Sequence, residues 1–164
     1  MFKKIIAVLI LIAAVFSLFS CSEGYFGHAE LRIPLEENFK KQKTSDFDVA
    51  YSNGEAAVAI LRISFVAGYD IGIPQTLMPN EFAAYYLYRT DRTEKINRMD
   101  DFAFYEYTEE YESGKYYHLM SFFRSEYAYF AVLYSTPEAL KEKWRDKFIE
   151  YSDEVYFVKY NSRT

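Results

Sequence analysis

Three strand-like runs follow one another between residues 102 and 135, and they constrain the fold more than any other part of the chain. Short polar segments separate them as turns. The last two runs carry bulky residues at both alternating sets of positions: Met120 and Phe122 in one set, Leu119 and Phe123 in the other. Because neighbouring residues of a strand point to opposite faces, these runs predict central strands of an antiparallel sheet with cover on both sides.

The segment before residue 66 predicts a hairpin and one further strand. The dipeptide Asn53-Gly54 precedes the apolar run 55–65 and favours a tight turn, because both residues tolerate a positive φ. Residues 31–35 alternate around a proline, which predicts a short edge strand. The polar segment 36–46 is expected to be a loop.

A first helix is predicted in the middle of the chain. Residues 68–79 contain two glycines and two prolines and are expected to break regular structure. From Pro79 the apolar spacing becomes helical, which predicts a helix at 79–90 with the proline near its start. The charged segment 91–101 that follows is expected to be irregular.

A second helix is predicted after the last of the three runs. Ser135-Thr136-Pro137-Glu138 offers a capping hydroxyl, a proline for the first helical position and a glutamate placed for a capping box. Residues 154–158 are expected to add a last short strand. Between these segments, apolar residues at helical spacing predict a stripe buried against the sheet: Leu140, Trp144, Phe148 and Tyr151.

The N-terminal segment has the pattern of a bacterial lipoprotein signal peptide. Lys3 and Lys4 precede an uncharged run at 5–19, which is shorter than the roughly 18 residues that a spanning helix requires. Leu18-Phe19-Ser20-Cys21 then resembles a lipobox, although smaller residues than phenylalanine are commoner at its second position. The resemblance implies cleavage before Cys21 and attachment of a diacylglyceryl group to its thiol.

These features predict the organisation and location of the chain. We expect a signal peptide at 1–20, a lipidated cysteine and short tether at 21–30, and a single α+β domain at 31–164. Cys21 is the single cysteine, so it has no partner for an internal disulfide. The protein would be extracytoplasmic, lipid-anchored to the bacterial cell membrane or outer membrane. The alternative is an uncleaved signal anchor with a free thiol.

The charge of the chain excludes some partners. Its net charge is −5, and removal of the signal peptide would take away Lys3 and Lys4 but no acidic residue. Nucleic acids are bound through clustered basic residues, so we expect no nucleic-acid partner. The acyl group, rather than a basic patch, would hold the protein at the membrane.

No cofactor, metal or catalytic residue is predicted. The acid-rich segment 100–112 lacks the spacing of an EF-hand calcium loop, and one cysteine does not build a zinc site. His118 lies in the middle of a strand, without a nucleophile motif such as G-x-S-x-G. We interpret it as a buried core histidine. The chain is therefore not expected to be an enzyme. A hydrolase that uses an acid pair is kept as a third hypothesis, after the two binding functions described below.

The aromatic content of 20% permits two interpretations. Tyrosine suits half-buried strands, where the ring fills the core and the hydroxyl reaches water or a partner. Alternatively, an exposed aromatic patch or cleft binds a protein, a glycan or an apolar ligand. Tyr116 and Tyr117 are neighbours in a strand and point to opposite faces, so one of them is a candidate for exposure.

The order hairpin, helix, three-strand meander and helix resembles the PsbP-like and DcrB-like α/β/α sandwiches found among bacterial lipoproteins. The resemblance rests on Gly114-Lys115-Tyr116-Tyr117, the aromatic strand at 127–134, and Phe148 ahead of Tyr151-Ser152. It implies an α+β fold, an antiparallel sheet of about six strands with helices packed on its faces. The alternative is a curved sheet with helices on one face only.

The same resemblance implies a function. It indicates a non-enzymatic accessory protein that binds another envelope protein at the membrane. The competing hypothesis, drawn from the aromatic content, is a lipoprotein that binds a small ligand or glycan. Neither hypothesis identifies ligand-binding residues in this sequence.

Overall fold

The computed structural model describes residues 26–27 and 30–158. Their strands form two antiparallel sheets. The larger sheet has seven strands in the order β3-β4-β5-β9-β8-β7-β6, and the smaller has the order β1-β2-β10. The strands are β1 (Phe26–Gly27), β2 (Leu31–Ile33), β3 (Lys40–Gln42), β4 (Val49–Ser52), β5 (Ala57–Ser64), β6 (Asn97–Arg98), β7 (Ala103–Tyr111), β8 (Gly114–Arg124), β9 (Ala128–Pro137) and β10 (Tyr156–Phe157).

The meander predicted between residues 102 and 135 forms the centre of the main sheet. Strand β8 pairs with β7 along one edge and with β9 along the other, and β9 pairs in turn with β5. The prediction of an antiparallel sheet is confirmed, with seven strands rather than six. The two short edge strands, β3 and β6, lie in segments that the sequence predicted as loop or irregular structure.

Helices cover both faces of the main sheet, as the alternating bulky residues of β8 require. The helices are α1 (Phe65–Asp70), α2 (Pro79–Arg89) and α3 (Lys141–Asp153). Leu119 and Phe123 belong to the core layer that contains α3, and Met120 and Phe122 belong to the layer that contains α2. The alternative of a sheet with helices on one face only is therefore wrong.

The small sheet was not predicted as a separate unit. Residues 31–35 were expected to form an edge strand, but β2 is the middle strand of the small sheet, between β1 and β10. Leu31 and Ile33 point into the α3 layer and are buried. Strand β1 lies within the segment predicted as tether. The last strand, β10, lies in the predicted segment 154–158.

The predicted hairpin at Asn53-Gly54 is present, with a different turn from the expected one. Gly54 has a φ of 90°, but Asn53 does not have a positive φ. The Asn53 side chain instead accepts hydrogen bonds from the backbone N–H groups of Glu55, at 3.0 Å, and Ala56, at 2.8 Å. This is the Asx-turn chemistry by which asparagine stabilises a longer loop.

Helix α1 was missed by the sequence analysis: it begins at the end of the apolar run 55–65 and extends into the predicted break at 68–79. Ser64 is the N-cap of α1, and its hydroxyl accepts a hydrogen bond from the backbone of Ala67. Gly68 faces the domain, and a Cβ at this position would lie 3.5 Å from side-chain atoms of Ile63 and Ile73. Helix α2 begins at Pro79 as predicted and ends at Arg89.

Helix α3 has the predicted apolar stripe and a later start than predicted. Trp144, Phe148 and Tyr151 are buried against the sheet. Pro137 ends β9, and a 3₁₀ turn (Glu138–Leu140) precedes the helix. The predicted capping box is wrong, because its members have other partners. The Thr136 hydroxyl donates to the backbone carbonyl of Glu55, and the Glu138 carboxylate accepts from the hydroxyl of Thr108.

Candidate functional site

His118 lies in a series of hydrogen-bonded polar side chains on the α2 side of the sheet, in which His118 and Ser135 are buried and the others are half-buried. Its Nδ1 is 2.7 Å from the hydroxyl of Ser135, the residue opposite it on β9. Its Nε2 is 3.4 Å from the hydroxyl of Tyr111, which donates to the Glu109 carboxylate at 3.1 Å. The Tyr111 oxygen can therefore accept only from an Nε2–H, which leaves Nδ1 as the acceptor for Ser135.

A charged cluster covers this chain at the edge of the sheet. The Arg92 guanidinium lies 3.8 Å from the ring centroid of Tyr107, and that ring stacks on His118 with centroids 4.7 Å apart. Arg92 also forms ion pairs with Glu94, at 2.8 Å, and with Glu109, at 2.9 Å. The positive charge therefore lies one ring away from the imidazole.

The environment of His118 determines which chemistry these hydrogen-bonded side chains can perform. Burial and the nearby charge of Arg92 lower the pKa of His118 to about 3, so the imidazole is neutral near pH 7. A base with so low a pKa cannot take the proton of a serine hydroxyl efficiently. The residue on its other nitrogen is a tyrosine rather than an orienting carboxylate, and the Ser135 side chain is buried within a strand. The Ser135–His118 pair therefore serves as a structural connection between β8 and β9.

The acidic residues noted in the sequence are dispersed by the alternation of β7. Glu106 faces the α3 side, where Arg145 binds both of its oxygens at 2.8 Å and the Tyr117 hydroxyl donates at 2.7 Å. Burial alone would raise the pKa of Glu106, but these hydrogen bonds lower it below its usual range. Glu109 faces the other side. In the ranges 26–27 and 30–158, no three His, Cys, Asp or Glu side chains are grouped to hold a metal ion.

Most of the large aromatic side chains that the structure describes fill the two core layers. Of the neighbouring pair noted in the sequence, Tyr117 is buried under α3, and Tyr116 is half-buried against Tyr111. The largest fully buried side chains are largely aromatic and include Trp144, Tyr105, Tyr129, Tyr134, Phe82, Phe122, Phe130 and Phe148. The aromatic content is therefore explained mainly by a sheet that is covered on both faces.

The exposed apolar residues include a group at the opposite end of the main sheet from His118. Val66 and Tyr69, three residues apart on the outer face of α1, are each 74% exposed. Ile71 follows at 57%, and Tyr127, in the turn between β8 and β9, is 61% exposed. The backbone N–H of Phe65 donates to the carbonyl of Tyr127, which joins the turn to the start of α1. We call Val66, Tyr69, Ile71 and Tyr127 the helix patch.

Buried contacts hold the helix patch in place. Phe65 packs against Tyr129, with ring centroids 5.0 Å apart. The Tyr129 hydroxyl donates to the carbonyl of Pro74 and accepts from the backbone N–H of Leu77, which fixes the segment after α1. Charged residues, Asp70, Arg124 and Glu126, are exposed around the patch. An apolar centre with a polar rim is the usual composition of a protein interface.

The first residue of the continuously described chain also lies at this end of the sheet. The Glu30 carboxylate pairs with Arg62 of β5 at 2.8 Å and accepts from the Ser125 hydroxyl at 3.3 Å. Its carbonyl accepts from the backbone N–H of Val158 at 2.8 Å. The predicted lipidation residue, Cys21, lies outside the described residues. No helix in the described part of the chain is long and apolar enough to span a membrane.

Comparisons with known proteins find similarity among solved structures. No family model matches the chain, and no curated protein does. A similar solved structure is the solution structure of cyanobacterial PsbP (CyanoP) from Synechocystis sp. PCC 6803, at 10% sequence identity and a TM-score of 0.46. The match covers 86% of this chain and 99% of that chain. The PsbP-like group is one of the two groups to which the sequence analysis found a resemblance.

Proposed function

We propose that this chain is an extracytoplasmic lipoprotein, anchored through Cys21, that acts as a non-enzymatic accessory protein. It binds another envelope protein through the helix patch. The observation that carries the proposal is the exposure of four large apolar side chains on a fixed helix and turn, with a charged rim. Patches of this kind on soluble domains mark interaction sites.

The composition of the patch favours a protein as the partner. Its two tyrosines are the residue type that most often supplies binding energy at protein interfaces, together with tryptophan and arginine. Arg124, at the rim, is the side chain enriched at such interfaces. A polar rim provides the hydrogen bonds that a protein partner would complete.

The anchor adds a second argument for a partner at the membrane. The lipobox resemblance places the lipid at Cys21, and only four residues separate Cys21 from strand β1. A domain held so closely meets membrane proteins at a high effective concentration. The competing hypothesis of a ligand or glycan site loses its main motivation, because most aromatic side chains between residues 30 and 158 lie in the core.

Chemical crosslinking of the lipidated protein in cells tests this proposal. We expect one dominant membrane-associated protein to be captured by the unaltered chain and by Tyr88→Ser, but not by Tyr69→Ser. The two variants are matched, because Tyr88 on α2 is also an exposed helix tyrosine and lies outside the patch. Equal capture by both variants would contradict the assignment of the patch. Intact mass of the same preparation tests the anchor, since an unmodified Met1 terminus would end the lipoprotein proposal.

A further inference from the structure

The small sheet is the structural element nearest to Cys21 in the sequence. Its inward face packs on the α3 layer through Leu31 and Ile33 of β2. Phe157 of β10 adds a contact with Phe130 of the main sheet, with ring centroids 5.6 Å apart. The inward side chains thus attach the small sheet firmly to the domain, and its other face points away from the core.

The outward face presents side chains suited to a membrane surface. Tyr156 lies opposite Arg32 in register on β10, and its side chain takes the outward position between two inward neighbours. Arg32 itself is half-buried, and its guanidinium donates to the carbonyl of Leu31 at 3.2 Å. Tyr156 is 50% exposed, and Val158, two residues further along, is 40% exposed. Tyrosine is enriched where a protein meets the headgroup layer, because its ring is apolar and its hydroxyl is polar.

Chain length limits how far this face can lie from a lipid on Cys21. Five residue steps separate Cys21 from Phe26, and a fully extended chain of that length spans about 18 Å. Strand β1 pairs directly with β2 through Gly27 and Arg32. The lipid and the outward face are therefore connected through one short, paired strand.

We propose that the outward face of the small sheet, with Tyr156 and Val158, lies against the phospholipid bilayer that holds the Cys21 lipid. This inference rests on the lipid anchor of the proposed function. The occupant is a bilayer surface rather than a protein, because the anchor brings the bilayer to this face without any other contact. The contact orients the domain, with α2 on the side of the main sheet that faces away from the membrane.

The test uses the full-length, lipidated protein in vesicles of phosphatidylethanolamine with a minor fraction of phosphatidylglycerol. When the Cys21 thiol carries the lipid, an introduced cysteine is the single free thiol. The variants are Tyr156→Cys and Val158→Cys on the outward face, and Tyr88→Cys on α2 as the matched control. Each carries the same environment-sensitive fluorophore, and quenching by a headgroup-labelled lipid is measured.

We expect several-fold stronger quenching at positions 156 and 158 than at position 88. Equal quenching at the three positions, or stronger quenching at position 88, would overturn the orientation while leaving the anchor intact. Intact mass of each labelled protein is recorded in parallel. A mass without the lipid would overturn the anchor and this inference together, so the two failures are distinguishable. Thermal unfolding of each variant checks that the fold is retained, and the two outward positions serve as replicates if one variant misfolds.

Discussion

The two ends of the main sheet treat their side chains in opposite ways. At the end near the β7–β8 turn, His118, Ser135, Tyr111 and Glu109 form a closed chain of hydrogen bonds. At the other end, the helix patch leaves large apolar side chains in water. The first arrangement satisfies groups that could do chemistry. The second leaves apolar side chains exposed to water, and the burial of such side chains drives association.

This contrast separates stability from function in the account. Buried polar groups cost free energy when they lose a partner, so the His118 chain should affect folding. Exposed side chains seldom affect folding by much, so the helix patch should affect binding alone. A His118 variant that affects binding but not stability would contradict this division, and so would a helix-patch variant that affects stability but not binding.

The largest effect is expected for His118→Ala. The substitution opens a cavity beside Tyr107 and removes the partner of a buried serine, and we expect a loss of about 3 kcal/mol in the free energy of unfolding. The single tryptophan, Trp144, is buried and reports urea unfolding of the full-length protein in mild detergent. Capture of the protein partner should persist under native conditions. A variant with unaltered stability would show that the polar chain does not hold the fold.

The next effect in size is expected for Ser135→Ala. This change leaves His118 Nδ1 without its donor, at a cost of about 1–2 kcal/mol. Ser113→Ala, in the exposed β7–β8 turn, is the matched control and should change the unfolding free energy by less than about 0.5 kcal/mol. Similar values for the two variants would contradict the hydrogen bond between Ser135 and His118.

The buried histidine also predicts a dependence of stability on pH. The pKa of His118 falls from 6.5 to about 3 on folding, so the unfolded state binds more protons between these values. The contribution of the neutral His118 side chain to the free energy of unfolding is fully present above pH 6.5. It decreases as the pH falls, by up to about 1.4 kcal/mol per pH unit.

The measurement compares the unaltered protein with His118→Gln from pH 7 to pH 5. Carboxylates with lowered pKa values, such as Glu36 and Glu106, lose their contributions only at lower pH. The stability of the unaltered protein should decrease more steeply with falling pH than that of the variant. Parallel pH profiles would show that folding does not lower the pKa of His118.

The smallest effect on stability is expected for Tyr69→Ser. The side chain is mostly exposed on α1, so the unfolding free energy should change by no more than about 0.5 kcal/mol. Urea unfolding followed through Trp144 checks this value. A large loss of stability would mean that Tyr69 packs within the domain and does not form a binding surface.

The sequence predicts the central part of the fold because its signals there are local. Alternation in β8 and β9 indicates cover on both faces, and the spacing of Trp144, Phe148 and Tyr151 indicates the buried face of α3. Helix α1 escapes prediction because it has only six residues and its apolar sequence continues from β5 without a break. Ser64, which caps it, is the signal that could have revealed it.

The remaining features depend on contacts between distant segments. Pairing of β2 with β10 joins residues more than a hundred positions apart, and no local pattern indicates it. The bond between His118 and Ser135 follows from the β8–β9 register, which the sequence alone leaves open. Exposure of the helix patch likewise depends on which face of α1 meets the sheet. The sequence therefore indicates a buried His118 but gives neither its partner nor the binding surface.

Site-specific photocrosslinking from position 69 tests the central claim most directly. A photoreactive phenylalanine analogue replaces Tyr69 in the full-length protein in cells, and the same analogue at position 88 is the control. The account predicts one dominant crosslinked envelope protein from position 69 and none of that product from position 88. The same product from both positions, or from position 88 alone, would contradict the assignment of partner binding to the helix patch.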